Sequence, residues 1–355
     1  MAGMRALWWV LAGVLALAAC AQAPPVPRVS AQPTPQATWY PAGQPPARNA
    51  AQDVAPYFVT LDVQRADEPA VVTDAFTGEV LAVVHPPAGG TRFTGAAAAG
   101  DDHTFVLAAQ SDAAATRFYE LRLGPAGHPR PLMPLPAPAI ANGNTFAVSA
   151  DGGKLAIATT TAKTAAIAVV SLATRAVRLW RAPSGYATDL SWAGNRFIAF
   201  QWSDGSQSAR VVPARSGVRV LDTAAPGGDL LASRLIIHQS AHTRLGNFTG
   251  LAYPLISADG STLFATVLWG GPGNPRAEVV EFSARTGRAL TVVAPPEGES
   301  GMGSWCGALW TDPSGSHATA VCAAQGRIDN GHFTASNLHA PTYNLSAPRD
   351  SFIAW

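Results

Sequence analysis

Residues 149–158, SADGGKLAIA, and residues 257–266, SADGSTLFAT, are two copies of one pattern that lie about a hundred positions apart. In each copy an Asp-Gly pair lies just before an apolar run. Asp-Gly between two alternating apolar runs is the strongest short-range signal for a β-hairpin, because both central residues of a tight turn need unusual backbone angles. Copies of such a unit along a chain predict a repeat fold.

Weaker copies of the hairpin alternate with a second pattern, in which two strands flank a turn of the Thr-Gly type. Further hairpin turns are predicted at residues 100–103, 193–195 and 312–315, and turns of the second kind within residues 74–81, 172–177 and 282–290. Four antiparallel strands in each 45 to 60 residues are typical of a propeller blade. The sequence thus predicts an all-β fold, a β-propeller of four-stranded antiparallel blades.

We predict six blades, and a degenerate seventh is the alternative because a long segment precedes Leu245. The first blade lacks an innermost strand, whereas residues 351–355 form a strand without an assigned place. We therefore expect this C-terminal strand to complete the first blade and close the ring, which would pair edges that are otherwise open to aggregation. The alternative is that Trp355 belongs to a frayed tail. The six blades are predicted at residues 57–88, 91–137, 141–184, 187–238, 249–296 and 302–355.

The first 19 residues have the pattern of a signal peptide, with one cation, Arg5, before an apolar run that is too short to span a bilayer. The run ends in Leu-Ala-Ala-Cys, which resembles the bacterial lipobox, so Cys20 is the predicted lipidated residue that anchors the protein in the membrane. An ordinary secretory signal with a chance cysteine is the alternative. Both predictions place the mature protein outside the cytoplasm.

Residues 20–56 are predicted to be a disordered tether, because residues 21–56 hold nine prolines and show no apolar periodicity. As a flexible coil this segment would span about 30–36 Å. The folded domain is predicted at residues 57–355. Its composition supports a large core, since 48% of the whole chain is hydrophobic and 13% is charged. A formal charge of +1 without a basic run argues against nucleic acid as a partner.

Two cysteines remain after lipidation of Cys20. Cys306 and Cys322 are equally far from Ser314, the centre of a predicted hairpin turn, so we expect them to face each other across two strands. In an oxidising compartment this arrangement predicts a disulfide. A zinc site is disfavoured, because two sulfurs without adjacent histidines do not form one.

Known catalytic and cofactor motifs are missing from the sequence: it contains no G-x-S-x-G, P-loop, G-x-G-x-x-G or H-E-x-x-H. His238 and His242 have the spacing of a helical metal pair but lie where a strand is expected to pass into a loop. The run Asp101-Asp102-His103 occupies a predicted turn, and turn chemistry accounts for it. We therefore predict no catalytic residues, metal or cofactor.

A ligand-binding face is predicted from two tryptophans, Trp202 and Trp269, which end corresponding strands before glycine-containing loops. Tryptophan offers a large rigid surface to sugars and peptides. The alternative is that each indole packs between blades. The flexible loop at residues 298–303, with Glu299, is expected on the same face.

The Ser-Ala-Asp-Gly-x-x-Leu hairpins resemble the Ser-Pro-Asp-Gly-x-x-Leu repeats of WD40-like and TolB-type propellers. From residue 56 onward the chain also resembles a group of secreted actinobacterial propeller lipoproteins of unassigned function. The matching stretches include residues 94–96, 104–109, 221–230 and 281–287. Ala150 and Ala258 replace the repeat proline, and no Trp-Asp dipeptide ends a blade. The resemblance implies a propeller fold and carries no catalytic residues.

The function predicted from these features is that of a membrane-anchored, extracytoplasmic and non-enzymatic binding module. Its expected partners are an extracellular protein, peptide or glycan, and the bilayer through acylated Cys20, with a monomeric chain. A sensor domain is a further possibility. The alternative from another class is a secreted propeller enzyme, of the lactonase, lyase or sugar dehydrogenase type, with a metal or cofactor in the central channel. Such sites need several converging acidic or histidine ligands, whereas the expected inner strands around Leu190 and Leu255 supply no acidic set.

Overall fold

The computed structural model describes the chain in segments, and every structural statement below concerns these segments. They are residues 40–41, 55–62, 69–75, 77–87, 91–111, 115–141, 145–161, 164–204, 215–239, 242–243, 246–257, 259–269, 276–293, 305–311, 317–324, 327–334 and 351–354.

The described residues form 27 strands and one short 3-10 helix, Leu230–Ala232. The first nine strands are β1 Tyr40–Pro41, β2 Tyr57–Asp62, β3 Ala70–Asp74, β4 Val80–Val84, β5 Arg92–Ala98, β6 Thr104–Gln110, β7 Ala115–Arg122, β8 Met133–Pro134 and β9 Ile140–Ala141. The next nine are β10 Thr145–Val148, β11 Lys154–Thr160, β12 Ala165–Ser171, β13 Val177–Ala182, β14 Tyr186–Ala193, β15 Phe197–Ser203, β16 Gly217–Asp222, β17 Gly228–Asp229 and β18 Arg234–His238. The last nine are β19 His242–Thr243, β20 Gly246–Ile256, β21 Thr262–Trp269, β22 Arg276–Ser283, β23 Ala289–Val293, β24 Trp305–Thr311, β25 His317–Ala324, β26 Arg327–Thr334 and β27 Ser351–Ala354.

Most strands pair antiparallel with their neighbours in chain order, and they form five sheets. Their orders are β27-β2-β3-β4, then β5-β6-β7-β8 with β9 also on β7, then β10-β11-β12-β13-β17, then β14-β15-β16-β18, and a larger sheet of β1-β26-β25-β24-β22-β21-β20-β19 with β23 on β22. Within the third sheet, Val148 pairs with Leu155 across the turn of the first SADG copy. The second copy forms the turn between β20 and β21, where Ile256 pairs with Leu263.

Consecutive sheets pack face to face, because strands such as β6 and β11 have buried apolar residues on both faces. In β6, Phe105 and Leu107 lie in a core cluster with residues of the first sheet, while Val106 and Ala108 lie in a cluster with residues of the third. Two further clusters join the third sheet to the fourth and the fourth to the fifth. The first strands also contact one another in the order β27, β5, β10, β14, β20 and β24, so they are the innermost. The predicted all-β propeller of antiparallel blades is confirmed.

The predicted number of six blades, with seven as the alternative, is wrong for the described strands, which form five sheets. The segments expected as the fifth and sixth blades share one nine-stranded sheet. The link is a parallel pairing of β22 with β24, at Ala277 and Trp305. Loop lengths and turn signals do not reveal such a lateral contact.

Both ends of the described chain add strands to distant partners. β27 pairs with β2, where Val59 lies opposite Ala354, and Trp355 lies outside the described residues. β1 pairs with β26 although it falls within residues 20–56, which we predict to be disordered. Residues 1–19 and most of 20–56 lie outside the described part. Among the described residues, no helix is long and apolar enough to cross a bilayer.

The hairpin turns of three neighbouring sheets are hydrogen-bonded to one another. Gly100 N donates to Ala150 O at 2.7 Å, and Ala150 N donates to Gly194 O at 3.2 Å. A Cβ on Gly100 would lie 2.3 Å from Ala150 O, so glycine is needed for this approach. The repeated Asp-Gly turns therefore join adjacent sheets at one end of the inner strands.

A strap from the fourth sheet covers the edge of the third. Residues 223–233 leave β16, add β17 in parallel to β13 and form the 3-10 helix, in which Leu230 is buried. The buried Arg219 side chain donates to Leu231 O at 2.7 Å and to Ser233 O at 2.6 Å. These bonds satisfy carbonyls at the end of the strap, and burial lowers the pKa of Arg219 below its ordinary value.

Candidate functional site

Trp202, predicted on a ligand-binding face, does not present its ring to a ligand. Its side chain is 1% exposed and lies in the core cluster between the third and fourth sheets. Gly185 packs so closely against the indole that a Cβ there would be 2.5 Å from Cζ2. The indole Nε1 has no hydrogen-bond partner among the described residues. The alternating apolar pattern of β15 (FIAFQWS) continues to its end, which is why position 202 faces inward.

The other predicted site residues are only partly described. Trp269 ends β21, where its backbone pairs with Arg276, but its side chain lies outside the described part. Glu299 and Cys20 lie outside it altogether. The backbones of Cys306 and Cys322 are direct partners in β24 and β25, which is the register that their symmetry about Ser314 predicts. The disulfide itself stays a prediction.

The Asp101-Asp102-His103 run makes a turn. Asp101 Oδ1 accepts from His103 N at 3.1 Å and Thr104 N at 2.7 Å, and Oδ2 accepts from Thr104 Oγ1 at 2.7 Å. Asp102 has a φ of 61°. Burial raises the pKa of Asp101, but these hydrogen bonds outweigh it and the net pKa is lowered. The Asp101 carboxylate therefore stabilises the turn.

The two histidines that have the spacing of a helical metal pair do not lie on a helix. His238 ends β18 and His242 begins β19, so the two residues belong to different strands. Among the described residues, no group of three or more His, Cys, Asp or Glu side chains is close enough to hold a metal ion.

Two innermost strands carry matching β-bulges that the sequence reading missed. In β14 the pairing skips from Thr188 to Ser191, so that Asp189 and Leu190 are unpaired. In β20 it skips from Ala252 to Leu255, which leaves Tyr253 and Pro254 unpaired. In both cases two residues lie opposite one on the next strand. A bulge turns side chains away from their regular direction and is frequent next to active sites.

The first residue of each bulge has a left-handed backbone. Asp189 has a φ of 53° and Tyr253 a φ of 51°. Such a conformation costs about 1–3 kcal/mol for a residue other than glycine, and aspartate tolerates it better than tyrosine. The surrounding sheets must therefore stabilise both bulges.

The bulges face each other across adjacent sheets. Tyr253 N donates to Asp189 Oδ2 at 3.4 Å, and Thr188 Oγ1 donates to the same oxygen at 3.3 Å. Two residues further on, Ile256 N donates to Ser191 Oγ at 3.3 Å. These bonds hold the two innermost strands side by side at the depth of the bulges.

The electrostatic state of Asp189 differs from that of the turn aspartates. Burial raises the pKa of Asp189 above its ordinary value, and its two long hydrogen bonds lower the pKa by less. Burial, followed by the charge of Asp189, raises the pKa of the Tyr253 phenol. By contrast, the hydrogen bond from Ser257 lowers the pKa of Asp259 in the second SADG turn.

These features make Asp189 and Tyr253 the candidate functional site. Both residues are partly exposed, burial raises both of their pKa values, and the charge of Asp189 raises the pKa of Tyr253 further, a combination that is enriched at functional positions. The site can present a carboxyl group and a phenol to a ligand in the middle of the inner strands. Asp189 falls within the predicted fourth blade at residues 187–238 but was not among the predicted site residues. The one available signal was a lone acid within an otherwise uncharged strand, YATDLSWA.

No family model and no curated protein matches the chain. Solved structures to which it is similar include the β-propeller domain of the Trilobed protease from Pyrococcus furiosus, with 9% identity and a TM-score of 0.48 over 88% of this chain and 100% of that chain. Kuenenia stuttgartiensis hydrazine synthase is similar at 12% identity and a TM-score of 0.47, covering 77% of this chain and 78% of that chain. The periplasmic gluconolactonase of Pseudomonas aeruginosa is similar at 16% identity and a TM-score of 0.40, covering 77% and 81%. All three TM-scores are below 0.5, so the fold rests on the chain's own strand pairing, and the narrower resemblance to secreted lipoproteins stays a prediction.

Proposed function

We propose that this protein is a membrane-anchored, extracytoplasmic propeller that binds a protein, peptide or glycan as a monomer, and that Asp189 and Tyr253 contact this ligand. The signal-peptide pattern and Cys20 in the lipobox-like Leu-Ala-Ala-Cys support the location. The observation that carries the binding proposal is the pair of matching bulges. They bring the backbone N–H of Tyr253 to the partly exposed Asp189 carboxyl group on the adjacent innermost strand, and the charge of Asp189 acts on the Tyr253 phenol.

In this proposal the innermost strands bind the ligand, and the repeated turns have a structural role. The turn aspartates accept hydrogen bonds from donors within their own turns. For example, Asp259 Oδ1 accepts from Ser261 N at 2.9 Å and from Ser257 Oγ at 2.6 Å. Asp189 has no comparably short bond among the described residues, and a ligand donor would supply one. We also propose that the pairing of β27 with β2 closes the ring of sheets around this site.

An enzymatic function is the second candidate, and the raised pKa of Asp189 is the observation that favours it. A carboxyl group whose pKa is raised by burial is better suited to act as a general acid. In that case Tyr253 would orient the substrate, and the reaction would be a hydrolysis or an elimination that needs a proton donor.

A binding screen with matched variants tests the proposal. The detergent-solubilised full chain is applied to a glycan array and a random peptide library, alongside Asp189→Asn, Tyr253→Phe and the control Asp222→Asn, whose carboxylate forms an exposed ion pair with Arg196. The expected result is a ligand that the Asp189 and Tyr253 variants bind at least tenfold more weakly and that the control binds normally. Ligands that all variants bind equally would contradict the proposal, and turnover of a bound lactone or glycoside that is lost in Asp189→Asn would favour the enzyme.

A further inference from the structure

We propose that the ligand of the Asp189–Tyr253 site carries a protonated primary amine. This inference rests on the proposed function, because it names the chemical class that the same site would select. It starts from the charges on the innermost strands.

The innermost strands carry almost no charge. Among β5, β10, β14, β20, β24 and β27, the sequence places one acid, Asp189, and one base, Arg92. The Arg92 guanidinium donates to Gln110 Oε1 at 3.3 Å on the neighbouring strand. Arg122 pairs with Glu120 and Arg196 pairs with Asp222, and neither of these ion pairs within the described part of the chain involves Asp189. The protein therefore supplies no described cation to this carboxylate.

The carboxylate is also poorly satisfied by neutral donors. Both of its hydrogen bonds go to Oδ2, and at 3.3 and 3.4 Å they are longer than a usual N–H···O or O–H···O bond. Oδ1 accepts no hydrogen bond from the described residues and is not among their fully buried atoms without a partner. Among the described residues Oδ1 thus has no donor, and Asp189 is partly exposed.

A cation is the ligand group that this environment favours most. A partly buried carboxylate without a counter-ion is costly, and a charge-assisted N⁺–H···O⁻ bond is roughly twice as strong as a neutral one. An anionic ligand would meet an uncompensated negative charge. A tyrosine strengthens the preference, since aromatic rings attract ammonium groups. Tyr253 lies in the facing bulge, its backbone N donates to Asp189 Oδ2, and its phenol is within the electrostatic influence of this carboxylate.

Matched amine and amide probes test this inference on the unmodified full chain. Calorimetric titration compares glucosamine with N-acetylglucosamine, and Nα-acetyl-lysine with Nα,Nε-diacetyl-lysine. In each pair acetylation removes the positive charge. We expect at least one free amine to bind at least tenfold more tightly than its acetylated partner, and the pair that shows the difference distinguishes an amino sugar from a lysine side chain.

The variants then locate the effect. Asp189→Asn should abolish the preference for the amine, while Asp222→Asn should keep it, and circular dichroism verifies that both variants are folded. Equal binding of amine and amide by the parent chain, or no binding of any probe, would overturn the inference. If an acetylated probe binds and Asp189→Asn weakens it, the proposed binding site stands and only the amine preference fails. If a free amine binds equally to the parent and to Asp189→Asn, both proposals fail at this site.

Discussion

Replacing Trp202 with alanine should destabilise the fold, because the indole belongs to the core between two sheets. Its side chain is 1% exposed, and a tryptophan of this kind buries about 150–250 Å². At about 25 cal/mol per Å², the loss of that area amounts to about 4–6 kcal/mol. Removing the unpaired buried Nε1 stabilises the fold by about 1–3 kcal/mol, because a buried donor without a partner is costly. The expected net loss is about 3 kcal/mol, the middle of the resulting interval of about 1–5 kcal/mol and the lower end of the range for deletion of large aromatic core side chains.

Thermal unfolding followed by circular dichroism measures this loss, which should lower the Tm by about 5–10 °C for a domain of this size. Trp202→Phe keeps an aromatic ring and removes the unpaired donor, so it should cost less than about 1 kcal/mol. Tyr186→Ala, at a residue that is 46% exposed, is the matched surface control and should also cost less than about 1 kcal/mol. A Trp202→Ala protein whose stability lies within about 0.5 kcal/mol of the parent would refute the assignment of this ring to the core.

Four further outcomes are expected. Hydrogen bonds lower the pKa of Asp259 in the folded protein, so its ionised form stabilises the fold at pH values above the unfolded pKa. Asp259→Ala should therefore cost about 1 kcal/mol at pH 7, and urea titrations should show that the stability difference between parent and variant shrinks as the pH falls through 4. Burial raises the pKa of Asp189, so its ionisation destabilises the fold as the pH rises above the unfolded pKa. Asp189→Asn should raise the Tm at pH 7 and leave it unchanged at pH 3, and a lower Tm of the variant at pH 7 would contradict the direction of this pKa shift. Cys306→Ser should remove a disulfide that contributes about 2–4 kcal/mol, and an identical Tm of the parent with and without reductant would argue against the bond. Cys20→Ala should release the protein from the membrane fraction into the medium, and continued membrane retention would disprove the lipid anchor.

The hairpins were predictable because their signal is local. The turn between Val148 and Leu155 needs only residues that lie within a few positions of Asp151, and its backbone pairing agrees with the sequence pattern. The Cys306–Cys322 register was predictable for the same reason, since both residues are equidistant from one turn. Period-two alternation likewise identifies strands such as β6, whose apolar residues face both neighbouring sheets.

The candidate site and the number of sheets were not predictable, because they depend on lateral contacts. A bulge at Asp189 is stabilised by Tyr253 N of the next sheet, 64 positions away, and no local pattern encodes that partner. The same holds for the parallel contact between Ala277 and Trp305, which merges two expected blades. The direction of the Trp202 indole followed from strand alternation, but the glycine that packs against it, Gly185, lies in the connection between β13 and β14 and becomes informative only in three dimensions.

The pairing of β2 with β27 also sets an order of events in folding. Val59 and Ala354 are 295 positions apart, whereas Thr145 and Ala158 in a local hairpin are 13 apart. Loop-closure entropy of (3/2)RT ln n then costs about 5 kcal/mol for the distant pair and about 2 kcal/mol for the hairpin. Pairing of β2 with its last partner must wait until residues 351–354 have been synthesised, so the sheet that begins the propeller is among the last to be completed. Until then the inner edge of β2 is an unprotected template for aggregation, which makes the final residues a determinant of folding yield.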